Sequence, residues 1–422
     1  MLSSSEEDIV QFRLGTLPAF LLNHPAHVES VLVKEAPTFV KGRGYERAGT
    51  LLGSGLLTAS GNLHAERRRL SQGAFRRHRM EAYASLIVSR SERLRTAWAA
   101  HSEIDVGQDM RLLTLGIAGE CFFGDDLGEY SERIGHAISL ATPRLDGLIS
   151  LVTHNRHVKR ARHELDEIVG DILGRRGRSD RRYDDLLSLL LAAQTPSDTA
   201  AARQVKDDML TFLLAGHDTM THALTWTWLL LSGHPEADAA LYREVDDVLA
   251  ARLPTAEDLS RLPYTRSVLA EALRLFPPAW VIVRRAASSH TCGGTSIPAG
   301  ALVVASPFVL HRDPRYFPEP LSFMPERWLL SQQSTDGVPG GEASKFAYFP
   351  FGAGPRSCIG ESFAWMEGTL VLATLAQSWQ LSNSGPAVRP MPRMTLRPGG
   401  AALMELKPRA HRRRATSRTS SL

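Results

Sequence analysis

A mainly helical α+β fold with a minor β portion is predicted, and three observations predict it. Apolar residues recur at three- and four-residue spacing through 62–80, 82–100, 108–123, 157–174, 203–231, 236–250 and 265–275, the period of a helix with one face in a core. Ser, Thr or Asp before these stretches and Gly or Pro after them supply caps and stops. Strand-like patterning is confined to the start of the chain and to 280–308.

Taken in order, Val10-Gln-Phe-Arg-Leu-Gly and Pro18-Ala-Phe-Leu-Leu-Asn alternate and turn like a hairpin. Helical spacing begins near 60. The run 203–231 predicts a helix of roughly 43 Å, long enough to cross the whole body. Short strands follow in 280–308, with turns at Gly293-Gly294 and Pro298-Ala-Gly300. A loop of Ser, Gln, Gly and Pro spans about 331–344, and a last helix runs from 360. No repeat and no low-complexity linker divides the chain, so 1–408 reads as one domain. The end, 409–422, reads as a basic, solvated, disordered tail.

Hydrophobic content of 43% and charge of 22% are those of a globular protein in water. A net charge of +4 is too slight to imply nucleic acid, although Arg67, Arg68, Arg69, Arg76, Arg77 and Arg79 crowd one stretch. Cys121, Cys292 and Cys358 are odd in number and lack CxxC spacing, which argues against a disulfide framework or zinc site and fits a reducing cytoplasm. The polar, acidic N-terminus has neither a signal-peptide layout nor a spanning segment, so no membrane anchor is expected.

Four motifs carry chemistry. The loop Phe349-Pro-Phe-Gly-Ala-Gly-Pro-Arg-Ser-Cys-Ile-Gly360 sets one cysteine among glycines just before an amphipathic run. A lone cysteine in such a turn is either a small apolar residue or a ligand. Amide donors, a helix N-terminus and a metal would all favour its thiolate. Ala215-Gly216-His217-Asp218-Thr219 stands in the middle of the longest helix. Its glycine suggests close approach or a kink, and the Asp-Thr pair is either locally bonded or turned toward a ligand. His217 reads as a groove or packing residue. Glu271 and Arg274 share a helix face at i and i+3, with Pro325-Glu-Arg-Trp328 about fifty residues on. His64 and Arg68, four apart, also share a face.

Together these motifs resemble the cytochrome P450 family, in order and over nearly the whole chain. The usual leading helix looks short or absent. The resemblance implies haem b (iron protoporphyrin IX), with Cys358 as the axial thiolate, Phe351 beside the sulfur, and Gly354 and Gly360 shaping the loop. His64, Arg68, Arg356 and Arg284 would meet the haem carboxylates, Arg285 being a rival to Arg284 by one position. Phe75 falls at the matching place downstream of Arg68. Glu271, Arg274 and Arg327 would form a buried structural triad. Asp218 would relay protons, and Thr219 would hydrogen-bond the oxygen being activated. Substrate-facing positions would include Phe212, Ala215, Gly216, Trp280, Val281 and Val283, with the segment 46–59 and a mobile lid near 143–156. Trp280 shapes the pocket or fills core.

The implied activity is that of a haem-thiolate monooxygenase. It would use O2 to hydroxylate or epoxidise a lipophilic small molecule, a terpenoid or polyketide of secondary metabolism. Two alternatives stand beside it: a peroxide-driven oxygenase or haem rearrangement catalyst, and a non-catalytic haem-binding sensor. No strand–GxGxxG–helix unit is present, so electrons would come from a ferredoxin and its reductase, docking on the arginine-rich stretch. A soluble, bacterial-type, monomeric protein is expected.

Overall fold

The computed structural model describes residues 7–145, 156–193, 199–331 and 346–409. The fold is mainly helical with small sheets. Strands β1 (Ile9–Leu14) and β2 (Leu17–Leu22) form the expected hairpin. Helix α1 (Pro25–Glu29), strand β3 (Phe39–Lys41) and helices α2 (Arg43–Leu52), α3 (Gly61–Ser71) and α4 (Arg77–Ala97) follow. Next come β4 (Glu103–Asp105), α5 (Val106–Phe123), α6 (Ser131–Leu145), α7 (Arg156–Gly177), α8 (Leu186–Ala192), α9 (Thr199–Ser232), α10 (Pro235–Leu249) and α11 (Pro263–Leu275). The mixed region holds β5 (Ile282–Ala286), β6 (His290–Cys292), β7 (Thr295–Ile297) and β8 (Leu302–Ala305). Helices α12 (Pro307–Leu310), α13 (Glu326–Ser331) and α14 (Glu361–Ala376) precede β9 (Trp379–Asn383), β10 (Pro390–Pro392), β11 (Leu396–Pro398) and β12 (Leu403–Pro408).

Helix α9 is buried on almost every side and packs along α5, which is apolar nearly all round. Both lie inside, as helices without a polar stripe must. Their contact, with α4, α11 and α14 beside it, forms the main core. The largest sheet has the order β1-β2-β8-β5-β3, with β2 and β8 parallel and the other pairs antiparallel. It covers a second core and sets β3 beside β5.

Three expectations need correction. The run 62–80 is not one helix: α3 ends at Ser71, a 3-10 turn follows, and Arg76 is extended (φ −72°, ψ 151°) before α4 begins. Apolar spacing continues across that break because Phe75 turns its ring into the core, 5.9 Å from Phe122. The β portion is also larger than 280–308, since β4, β12 and β9 form a sheet and β10 and β11 a hairpin. These strands are mostly three to six residues long, too short to show a period. Helices α2, α6 and α8 were also missed, although Asp185 caps α8 by accepting from the Ser188 amide at 2.9 Å. The core of the expected lid, most of the loop at 331–344, and the tail beyond 409 lie outside the described residues. Among the described residues no helix is long and apolar enough to cross a membrane.

Candidate active site

The cysteine loop is held by its own backbone and by one buried histidine. The Gly352 amide donates to Phe349 O at 2.9 Å, Ser357 to Gly354 O at 3.0 Å, and Cys358 to Phe351 O at 2.8 Å. The Phe349 amide donates to His311 Nε2 at 2.9 Å. Burial pushes the His311 imidazole well below its ordinary value, so it stays a neutral acceptor. Gly354 has φ 69°, and a Cβ there would lie 2.1 Å from Leu32 O, so no other residue fits. The Phe351 ring meets Trp365 of α14 edge-on at 5.3 Å.

Cys358 is solvent-reachable although protein atoms surround it closely. Burial pushes its thiol up to about 11, against the opposing Gly360 amide. Alone it is a protonated thiol at neutral pH, and it needs a cation on the sulfur to become a thiolate.

Cationic side chains gather near this loop. Lys41 and Arg284 are direct partners across the β3–β5 ladder and both are buried, an arrangement that is destabilising by itself. Burial, then Arg356 and Arg284, lower the Lys41 ammonium to about 7. Burial, then Arg356, Lys41, Arg68 and Arg284, lower His64 to about 4. Arg68 Nη1 donates to Ser357 O at 2.7 Å and Arg356 Nη1 to Ala59 O at 3.1 Å. Lys41 donates to the carbonyls of Leu57 and Ala59, and Arg284 Nη1 donates to Val283 O at 3.1 Å. Among the described residues none of these five groups has a carboxylate partner. Arg285 faces the other way, 4.0 Å from Glu46, which favours Arg284 over its rival. Three arginines, with a lysine and a histidine whose protonated forms they disfavour, converge beside a thiol without a counter-charge, and that set fits a dianionic, metal-bearing cofactor.

Within α9 the structure resolves several open readings. Gly216 serves close approach: a Cβ there would meet Phe122 of α5 at 3.1 Å, and the helix runs on without a break. His217 is a packing residue, fully buried, with Nδ1 2.8 Å from Leu213 O and its imidazole lowered by burial. Thr219 donates to Ala215 O at 3.0 Å. Asp218 accepts from Thr395 Oγ1 at 2.8 Å and has His222 Nε2 3.4 Å from its other oxygen. Burial alone would raise that carboxyl, but the neighbouring His222 and His217 and the Thr395 bond outweigh it and hold Asp218 below the usual carboxylate range. Ala215 is exposed.

Phe212 stands apart from the other expected substrate positions. It is 6% exposed, with its ring 6.1 Å from Phe122 and 6.4 Å from Phe75, so core packing already claims it. Val281 and Val283 are half-buried at the edge of β5. Trp280 is not fully packed into core, and the side chain keeps a face open. It is half-buried, with its indole N–H donating to Arg393 O at 2.8 Å.

The triad assembles around one carboxylate. Arg274 donates to Glu271 Oε2 through Nε at 2.9 Å and to Oε1 through Nη2 at 2.8 Å, and Arg327 Nε donates to the same Oε1 at 3.0 Å. Trp328 Nε1 and the Met324 amide add bonds of 2.8 and 3.0 Å. Arg274 also gathers the carbonyls of His311, Pro320 and Ser322. The network therefore ties α11 to His311, and His311 ties it to the cysteine loop.

Sequence reading missed three groups. Lys41 gave no signal, because its meaning lies in its ladder partner. Asp207 and Asp208 of α9 accept from the amides of Ser54 and Leu56 at 2.8 and 3.0 Å, anchoring part of the 46–59 segment. Glu367, nine residues after Cys358, is fully buried with neither oxygen hydrogen-bonded among the described residues, and burial raises it well above its ordinary value, so it is protonated. Of the crowded arginines, Arg67 pairs with Asp208 at 3.6 Å and Arg79 with Asp184, which narrows the stretch expected to dock an electron donor to those that face outward. Arg69, Arg76 and Arg77 do.

Comparison with known proteins places these features. The family model described as Cytochrome P450 matches residues 1–406. A cyclooctatin synthase of Streptomyces melanosporofaciens is 37% identical over 406 residues, covering 93% of this chain and 87% of the relative. A cyclooctat-9-en-7-ol 5-monooxygenase of the same organism is 34% identical over 404 residues, covering 92% and 84%. A pentalenene oxygenase of Streptomyces avermitilis is 31% identical over 430 residues, covering 99% and 92%.

Proposed function

This chain belongs to the cytochrome P450 family and is an oxidoreductase of the monooxygenase type, and from that premise we propose that it oxygenates a lipophilic terpenoid with electrons from a ferredoxin and its reductase. The observation that carries the reading is the set of five basic side chains, three of them arginines, that have no carboxylate partner among the described residues and lie around a solvent-reachable thiol. Haem b would supply dioxygen activation on being reduced. Cys358 would hold its iron, and His64, Arg68, Arg284 and Arg356, joined by Lys41, would neutralise its two carboxylates. The relatives named for cyclooctatin, cyclooctat-9-en-7-ol and pentalenene support a terpenoid substrate. Ala215, Val281, Val283 and the apolar part of Trp280 supply walls of matching character. Cys121 and Cys292, both buried free thiols, accord with a reducing cytoplasm.

Within this reading Asp218 accepts a proton from the solvent side as an ionised carboxylate and passes it along α9. Thr219 turns its hydroxyl from Ala215 O toward the reacting oxygen. Thr219→Ala should therefore leave NADPH consumption largely intact while product per NADPH falls roughly a hundredfold, the low end of the range for positioned proton transfer. Stoichiometry of NADPH, peroxide and product checks it, and unchanged coupling would favour a peroxide-driven or non-catalytic protein. A difference-spectrum screen of polycyclic terpenoids tests the substrate class. A shift of the Soret band with these and not with polyketides is expected, and the reverse would remove the terpenoid.

The exposed Arg76 and Arg77, with Arg69, suit an acidic electron donor. Arg77 is 95% exposed at the side chain and lies 3.2 Å from Glu81. Reversing both charges to Glu should slow reduction by a ferredoxin about tenfold at low salt and little at high salt, since exposed charges act on association rate and are screened. Stopped-flow reduction at two ionic strengths measures it, and equal rates would remove the docking surface.

A further inference from the structure

We infer that the turn Arg393–Thr395, between β10 and β11, is a positioning element for Asp218 that couples the substrate wall at Trp280 to proton delivery; it rests on the relay reading above. The turn makes contacts on two sides. On one, Trp280 Nε1 donates to Arg393 O at 2.8 Å and the Leu396 amide donates to Pro278 O at 2.9 Å. On the other, Thr395 Oγ1 donates to Asp218 Oδ2 at 2.8 Å. The turn is closed by the Arg393 amide on Thr395 O at 3.1 Å, so its two sides move together. Residues 280 and 395 thus lie on one hydrogen-bonded path that ends on α9.

The acceptor at that end is an ionised carboxylate. A hydroxyl bonded to a charged oxygen is held more strongly than one bonded to a neutral group. His222 Nε2, one turn on along the same helix, lies 3.4 Å from the remaining oxygen, Oδ1. Thr219 is meanwhile bonded to Ala215 O and not to Asp218. Asp218 is therefore parked between Thr395 and His222, and it carries a proton toward Thr219 only by turning away from Thr395. Thr395 sets how readily it turns. A substrate that shifts the Trp280 indole shifts the turn, weakens or strengthens the Thr395 bond, and biases the carboxylate between two rotamers. The bias can be no larger than the substrate's own difference in affinity for the two arrangements. Thr395 touches no reacting atom. It acts through Asp218.

The test uses the haem-loaded enzyme with Thr395→Val, which removes the hydroxyl at nearly constant volume, Thr395→Ser, which restores it, and Trp280→Phe, which removes the indole N–H. Thr395→Val should change the ratio of uncoupled to coupled turnover roughly tenfold, the scale of one lost hydrogen bond to a charged group. Its substrate dissociation constant, read by spectral titration, should stay within about twofold, and Thr395→Ser should recover wild-type coupling. Hydrogen exchange gives a readout apart from turnover. Substrate should alter amide exchange across 390–398 in the wild type, and Trp280→Phe should abolish that response. If Thr219→Ala uncouples and Thr395→Val does not, the positioning role is wrong while the relay stands. If Thr219→Ala itself leaves coupling intact, the relay reading is what fails. Uncoupling by valine that serine does not repair, or an exchange response that survives Trp280→Phe, also overturns the inference.

Discussion

Replacing Cys358 by histidine abolishes the red-shifted Soret band of the reduced, carbon-monoxide-treated protein and leaves the band of an imidazole-ligated haem. Oxygenation should fall by more than about a hundredfold, beyond the ~10–100-fold that loss of a supporting partner costs. The physical reason is electronic: a thiolate pushes density toward bound oxygen, and a neutral imidazole pushes less. The thiol itself adds a second signature. Burial holds it at about 11, so it is protonated at neutral pH until a metal takes the sulfur. Cofactor capture therefore releases a proton, and retention weakens as pH falls. Cys121 and Cys292 are buried and lie in other parts of the fold, so Cys121→Ala and Cys292→Ala should leave the band in place. An undiminished band in the histidine variant would overturn the ligand assignment, and no change in proton release between wild type and Cys358→Ala would do the same.

What could be read from residues alone divides by the range of the interactions. The long helices were legible because a buried helix repeats its apolar positions over many turns, and α9, α10 and α11 lie within a few residues of where spacing sets them. Glu271 and Arg274 are three apart, so their shared face was also legible, and Arg327 followed from the resemblance. Lys41 was not, because nothing near it in sequence says that β3 will pair with β5 and set it against Arg284. Asp218 was found as a candidate, but its partner Thr395 lies 177 residues away on a hairpin too short to show alternation. Phe212 shows the same limit. Neighbouring positions on a buried helix all look apolar, and only the partners on α5 decide which one faces a pocket. Chemistry that depends on distant pairing emerges only with the fold.

The same distinction gives the largest expected effect on stability, at Glu271. Its side chain and that of Arg274 are wholly buried, and Arg327 is nearly so. Glu271→Ala leaves two guanidinium groups in the core without their carboxylate, and it orphans the donors of Trp328 and Met324. Breaking one partner of a buried ion pair costs about 3–5 kcal/mol, against a total stability of about 5–15 kcal/mol. With an unfolding entropy of about 2.1 cal/mol/K per residue, the melting midpoint should fall by roughly 3–6 °C. The cysteine loop should suffer first, because Arg274 holds the His311 carbonyl and His311 holds the Phe349 amide. Haem loss should accordingly precede global unfolding in the variant, which absorbance and circular dichroism followed on one sample would separate. Glu271→Gln keeps the shape and removes the charge, so it should lie between alanine and wild type. Replacing Glu271, Arg274 and Arg327 together by apolar residues of similar volume should recover much of the loss, since a buried pair is costly to break yet contributes little net energy when whole. If the glutamine variant melts with the wild type and keeps its haem, the carboxylate is not what holds this loop.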